Sequence, residues 1–177
     1  DGLFQQRSET SKHAGNLKVG DVRKRAFMNI LLWAVFRDAA RIADELSLRD
    51  EAAAARRREA ALVHALDRHL WDEDGGFYRE AVETPRFGAE ANALALSLGL
   101  VSPERARRIA PQFKKIGHGK FQSLASRGRF EYGFAQSGLQ TLFDHNWLKL
   151  LDDGWKGAWT TTECMGTITK GWGDESH

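Results

Sequence analysis

Residues 23–70 decide the fold, and they read RKRAFMNILLWAVFRDAARIADELSLRDEAAAARRREAALVHALDRHL. In the first half, apolar side chains recur at steps of three and four residues: Phe27, Leu31, Leu32, Val35, Ala39, Ile42, Ala43 and Leu46. This period predicts an amphipathic helix over residues 23–46. The alanine-rich second half predicts another helix over residues 51–70, with Asp50 as its N-cap. Because only a short break separates them, we expect the two helices to form an antiparallel hairpin.

The rest of the chain predicts more helices and one β-turn insertion near residues 71–80. Aromatic residues flank the sequence Asp74-Gly75-Gly76, which suits a tight turn with a short strand on each side. Gly99 is a helix-ending signal, and Ser102-Pro103-Glu104 is a helix-starting one. Helices are predicted over residues 88–98, 102–111, 130–143 and 147–151, and loops over residues 1–20 and 116–128. The predicted fold class is therefore all-α.

Composition narrows the function classes. The 177 residues suit about one domain, with 42% hydrophobic and 28% charged residues, and the net charge is +2. Such a balanced charge gives no electrostatic case for binding nucleic acid or an anionic membrane. Cys164 is the only cysteine, so an internal disulfide and a cysteine-based zinc site are both excluded. The motifs imply no metal and no cofactor. The chain shows no signal peptide, and its localisation is left open.

Residues 155–166, WKGAWTTTECMG, look least like a plain helical scaffold. The rings of Trp155 and Trp159 could stack on the apolar face of a sugar, while the Glu163 carboxylate could activate a water. The other interpretation is structural: both tryptophans belong to the core, Thr162 caps a short helix, and Glu163 lies in its first turn. The spacing leaves both interpretations open.

Several segments together resemble the catalytic domain of bacterial α-L-rhamnosidases, glycoside hydrolase family 78, and more loosely other six-hairpin glycosidases. The resemblance covers residues 21–177 and depends on the order of the segments. They are Asn29–Leu48, Leu70–Tyr78, Gly133–Leu139, Trp147–Gly154, Trp159–Glu163 and Ser176-His177. The resemblance implies an (α/α)6 toroid with its site at one mouth. Six hairpins require about twelve helices and this sequence predicts about six, so the expected fold is about half of the toroid.

The resemblance also implies residue roles in an inverting glycosidase that hydrolyses terminal α-L-rhamnosides. Glu163 takes the role of general base, and His177 contacts the sugar. The walls of the site come from Trp155, Trp159 or Trp172. The family's general acid lies upstream of the helices seen here, and no match to its segment is found. The expected organisation is a loop over residues 1–20 followed by a partial domain over 21–177, truncated at both ends and inactive by itself.

Two alternatives stay open beside this interpretation. One is a non-catalytic helical-repeat module whose aromatic loop binds a protein or a glycan. The other is a six-hairpin glycosidase with a different sugar specificity. The expected partner is a carbohydrate substrate. The helices at 23–46 and 51–70 carry apolar stripes that are wide enough to pack against two neighbouring surfaces. Such stripes also predict self-association through exposed helix faces.

Overall fold

A computed structural model describes residues 2–7, 22–113 and 119–144, and 67% of these residues are helical. This confirms the all-α prediction with helical hairpins and a small sheet. The chain divides into two compact units, Asp1–Ala91 and Asn92–His177, which are described separately. None of the helices in the described ranges combines the length and the apolar content that crossing a bilayer requires.

The first unit is built on the predicted hairpin of α1 (Ala26–Glu45) and α2 (Arg49–His69). Ser47 lies between them with a positive φ of 60°, and the Leu48 N–H donates to the Ala43 carbonyl at 2.8 Å. This closes α1 and reverses the chain within three residues. The prediction of Asp50 as the N-cap is wrong. Leu48 holds that position without a side-chain hydrogen bond, and Asp50 lies in the first turn, where its charge suits the helix dipole.

The buried face of α1 differs from the stripe that the sequence marks. Its buried residues are Ala26, Asn29, Ile30, Trp33, Ala34, Ala40 and Ala43, and α1 packs against α2. Most of the apolar stripe lies outside this face: Val35 is 58% exposed and Ile42 is 61% exposed. Alanine occupies four of these seven buried positions, and small side chains allow two helices to pack closely.

A three-stranded antiparallel sheet follows the hairpin. Its strands lie in the order β3 (Trp71–Asp72), β4 (Phe77–Ala81) and β5 (Thr84–Phe87). The predicted turn is confirmed: Gly76 has a positive φ of 72°, and the Asp72 carboxylate accepts from the Gly75 N–H at 2.8 Å. Trp71 and Tyr78 are buried in edge-to-face contact with ring centroids 5.2 Å apart, as core residues.

The described part of the predicted loop over residues 1–20 includes a strand. β1 (Gln6–Arg7) pairs antiparallel with β2 (Val22–Arg23). The buried amide of Asn29 fixes this segment on α1: its Oδ1 accepts from the Phe4 N–H at 2.7 Å, and its Nδ2 donates to the Phe4 carbonyl at 3.0 Å. A two-residue ladder has no measurable period, so the sequence pattern could not reveal it.

The second unit holds most of α3 (Ala89–Ser97), then α4 (Pro103–Ile109), a 3₁₀ turn (Ala110–Gln112), α5 (Gly119–Glu131) and α6 (Ala135–Asp144). The predicted boundary signals are confirmed. Gly99 has a positive φ of 73°, and the Ser102 hydroxyl accepts from the Arg105 N–H at 3.3 Å.

The predicted loop over residues 116–128 is wrong, because α5 begins at Gly119 and continues through Gly128. Gly128 allows two helices to approach closely. A Cβ at this position would lie 2.5 Å from the Leu96 Cβ and 2.9 Å from the Ser97 backbone nitrogen of α3. Packing, and not a turn, therefore explains this glycine.

Candidate functional site

The site residues that the resemblance implies are Glu163, Trp155, Trp159, Trp172 and His177. All five lie outside the described residues. Within the described ranges, one segment of the resemblance, Gly133–Leu139, borders a cavity.

This cavity is a cleft of about 450 Å³ at the turn between α5 and α6. Among the described residues its lining is uncharged: Gly133, Phe134, Ala135, Gln136, Ser137 and Gln140. Phe134 is half-buried, whereas Gln136 and Gln140 are exposed one helical turn apart. Amide groups beside an aromatic ring suit the hydroxyls and the apolar face of a sugar. The lining residues can thus bind a neutral ligand but offer no carboxylate for acid–base catalysis.

The cleft exists because the helix predicted over residues 130–143 is broken, which corrects that prediction. Gly133 has a positive φ of 81°, the Gly133 N–H donates to the Phe130 carbonyl at 3.0 Å, and the Phe134 N–H donates to the Arg129 carbonyl at 2.7 Å. These bonds end α5 in a left-handed glycine turn. The chain then starts α6 in a new direction, with the Gly138 N–H donating to the Phe134 carbonyl at 2.9 Å.

The buried Arg129 guanidinium holds this turn in place. Its Nη2 donates to the Ala110 carbonyl at 2.7 Å and to the Phe113 carbonyl at 3.5 Å, and its Nη1 donates to the Ser137 carbonyl at 3.3 Å. The guanidinium carbon also lies 5.2 Å from the centroid of the Phe113 ring. Burial lowers the pKa of Arg129. One cation thereby joins the 3₁₀ turn and the residue after it to the first turn of α6.

Tyr132 provides a second anchor for the same turn. Its hydroxyl donates to the Val101 carbonyl at 2.5 Å, which ties the end of α5 to the segment between α3 and α4. Burial raises the pKa of Tyr132 above its ordinary value near 10. The neutral phenol is therefore the form that the folded protein favours.

We expect Tyr132 to make the second unit sensitive to alkaline pH. Because the pKa of Tyr132 is higher in the folded than in the unfolded protein, its contribution to stability is complete below pH ~10 and declines as the pH rises towards the folded value. Urea unfolding followed between pH 7 and 11 measures this decline. The Tyr132→Phe variant has no such proton, so it should lose less stability over that interval, and equal losses would contradict the role of Tyr132.

Other motifs have structural roles in the described residues. In the acidic run after Trp71, Asp72 closes the turn, and Glu73 accepts from the Trp71 indole N–H at 2.6 Å. No group of three His, Cys, Asp or Glu side chains in the described ranges could hold a metal ion. A second cavity, of about 550 Å³, lies along α2 and is lined by Gly2, Ala61, His64, Ala65, Arg68 and His69.

Sequence reasoning missed the Arg129 and Tyr132 anchors. Their partners lie 8 to 31 residues away, and they are backbone carbonyls that any residue provides. Gly133 was the available sequence signal for the turn between α5 and α6, since a glycine followed by an apolar residue can end a helix.

Comparison with protein-family models identifies a family for this chain. The family model of the mannosylglycerate hydrolase MGH1-like glycoside hydrolase domain matches residues 3–121. A search of curated proteins gives no match. The matched range contains the α1–α2 hairpin, the three-stranded sheet, α3 and α4, which is most of the described chain. The chain therefore belongs to the MGH1-like glycoside hydrolase family.

Proposed function

We propose that the chain is part of an inverting glycosidase that hydrolyses terminal α-L-rhamnosides. The observation that carries the proposal is membership of a glycoside hydrolase family over residues 3–121. The identity of the sugar is proposed from the motifs Trp159–Glu163 and Ser176-His177, because they resemble the corresponding motifs of α-L-rhamnosidases.

In the proposed reaction, Glu163 is the general base. It removes a proton from a water that attacks the anomeric carbon, while a protonated carboxylic acid donates to the leaving oxygen on the other face. The two carboxyl groups of such an enzyme stand roughly 6.5–9.5 Å apart, which leaves room for the water. In this proposal the walls of the sugar site come from Trp155, Trp159 or Trp172, and His177 contacts the sugar. In the family the general acid lies in a segment upstream of these helices. Residues 21–177 contain no match to that segment.

The described cleft at the α5–α6 turn supports a neutral sugar as the ligand of this unit. Phe134 offers a ring face, and Gln136 and Gln140 offer amide donors and acceptors. A rhamnosyl group carries hydroxyls and a methyl group but no charge, which matches this lining.

Hydrolysis of mannosylglycerate is the second candidate, and the name of the matching family favours it. Its glycerate group carries a carboxylate, which a binding site normally pairs with a cation. The motifs Trp159–Glu163 and Ser176-His177 resemble those of α-L-rhamnosidases, so the rhamnoside stays the first candidate.

A substrate panel tests the proposal. Aryl α-L-rhamnoside, aryl α-D-mannoside and mannosylglycerate are offered to the 177-residue chain and to the complete product of its gene, and the product anomer is followed by NMR. We expect the gene product to prefer the rhamnoside by at least ~10-fold in kcat/KM, with inversion, and the chain alone to show little or no turnover.

The other outcomes are equally informative. Preference for mannosylglycerate would assign the second candidate. Saturable sugar binding by the gene product without hydrolysis would support the glycan-binding module. Strong turnover by the 177-residue chain alone would overturn the expectation that it lacks the general acid.

A further inference from the structure

The cavity along α2, called here the α2 cavity, has a volume of about 550 Å³ and lies within the first unit. Among the described residues its lining consists of Gly2 and one stripe of α2: Ala61, His64, Ala65, Arg68 and His69. The five α2 positions follow one another at steps of three, one, three and one residues, so they share one face of the helix. A volume of this size suits a small molecule.

The apolar part of this lining consists of small residues. Gly2 lies directly on α2, because a Cβ added to it would lie 3.3 Å from the Ala65 Cβ. The segment that contains Gly2 is fixed in this place, since the buried Asn29 amide binds both main-chain groups of Phe4. Ala61 and Ala65 each contribute only a methyl group. The chain therefore walls the cavity from two sides without filling it with a long apolar side chain.

The polar part of the lining is basic. It consists of His64, Arg68 and His69, and none of these side chains has a hydrogen-bond or ion-pair partner in the part of the chain that the structure describes. Elsewhere on the same helix, the Arg56 guanidinium pairs with the Asp44 carboxylate. Positive charge in the last turn of a helix suits its dipole, which accounts for Arg68 and His69 but not for His64, since His64 lies before that turn.

The surroundings of His69 agree with this charge pattern. The pKa of His69 is lowered, first by desolvation of its imidazole and then by nearby positive charges that include Arg68, Lys24 and His64. No carboxylate of the described chain offsets this repulsion. An anion bound among these groups would remove the repulsion and favour the imidazolium form.

We propose that the α2 cavity binds a small organic oxyanion through its carboxylate or phosphate group. The Arg68 guanidinium offers paired, charge-assisted hydrogen bonds, and the two imidazoles add further N–H donors. The methyl groups of Ala61 and Ala65 contact the carbon atoms of the ligand. This binding does not depend on hydrolysis or on the sugar specificity, so it stands apart from the proposed function.

An NMR titration of the histidine rings in the 177-residue chain tests the site. Propionate or inorganic phosphate is added at about pH 7 and constant ionic strength, so that general screening does not change. We expect the His64 and His69 ring signals to shift and saturate with at least one of the two anions, and the tighter one identifies the recognised group. Propionamide has nearly the same size without the charge, and it should give no saturation. Shifts that stay linear with both anions, or saturate equally with propionamide, would overturn the proposal.

Two arginine variants separate the site from the overall charge of the chain. Arg68→Gln should weaken anion binding by at least ~10-fold, because the guanidinium is the one lining group that stays fully charged at this pH. Arg57 is an exposed arginine of the same helix outside the cavity lining, so Arg57→Gln should leave the affinity within about twofold. Equal losses in the two variants would contradict a site at Arg68.

Two alanine variants test the cavity without removing any charge. Ala61→Leu places a larger side chain in the lining and should weaken binding by at least ~10-fold. Ala60→Leu is the control, because Ala60 is equally exposed but lies outside the lining. Leucine is a good helix former, so both variants should fold. Unchanged affinity in Ala61→Leu would show that the anion binds elsewhere.

The complete gene product is titrated with the same anions. Saturation with the same preference, and the same loss in its Arg68→Gln variant, would show that the α2 cavity is an open site in the whole protein. If the gene product does not bind the anion that the 177-residue chain binds, another part of its own chain occupies the cavity. That result would overturn the proposal.

Discussion

Replacing Glu163 by Gln is expected to lower kcat on the preferred glycoside by roughly 10²–10⁴-fold while KM changes little. The amide keeps the shape of the carboxylate but cannot accept the proton of the attacking water. The loss therefore falls on the chemical step and not on sugar binding. The measurement is steady-state hydrolysis of an aryl α-L-rhamnoside by the complete gene product and its Glu163→Gln variant.

The matched control for this substitution is Glu104→Gln. Glu104 lies exposed in the first turn of α4, and the Arg107 Nη1 lies 3.9 Å from its carboxylate. Removal of the Glu104 charge by this substitution should leave both kcat and KM unchanged. Equal rates for the unmodified enzyme and the Glu163→Gln variant would reject Glu163 as the general base.

Replacing Arg129 by Met is expected to lower the free energy of unfolding by about 3 kcal/mol. The side chain is only 5% exposed, and it is the donor to the carbonyls of Ala110, Phe113 and Ser137. Methionine fills a similar volume but removes these three hydrogen bonds, and the one to the Ala110 carbonyl is buried. Urea denaturation followed by circular dichroism measures the change, and Arg129→Lys should recover part of the stability.

Arg127 provides the comparison, because it is an arginine two residues earlier on the same helix. Its side chain is 65% exposed and lies 3.9 Å from Glu131 in an i, i+4 pair. Such surface pairs contribute little, so Arg127→Met should stay within about 0.5 kcal/mol of the unmodified chain. If both methionine variants lost the same stability, the burial of Arg129 would not explain its effect.

The hairpin was predictable from the sequence because its information is local. A helix of 20 residues repeats its apolar pattern several times, so the period identified both α1 and α2. The boundary signals at Gly99 and Ser102 were equally reliable, since each depends on the conformation of one residue and its near neighbours.

Features that depend on distant neighbours were not predictable. Gly128 and Gly133 are the same residue type five positions apart, yet one lies inside α5 and the other ends it. The difference lies in the surroundings of the two glycines. The α3 helix approaches Gly128, whereas no other part of the described chain comes within 4 Å of the position that a Cβ of Gly133 would occupy. The inward face of α1 escaped prediction for a similar reason, because it depends on what packs against α1 and does not follow the regular apolar row.

The candidate site, too, was predictable only in part. The order of short motifs was sufficient to indicate a glycoside hydrolase, and the family match over residues 3–121 agrees at that level. The roles of Glu163 and the tryptophans stay predictions, since they lie outside the described residues. The α5–α6 cleft could not be derived from its lining alone, because its shape depends on Arg129 and Tyr132.

The close approach of α5 to α3 also restricts how the sequence can evolve. If Gly128 opposed only the Leu96 side chain, a smaller residue at 96 could compensate for a larger one at 128. However, two of the nearest atoms are main-chain atoms, the Ser97 nitrogen at 2.9 Å and the Leu96 carbonyl carbon at 3.0 Å. No substitution removes them. Related sequences that keep this helix crossing should therefore retain glycine at 128 whatever residue they carry at 96.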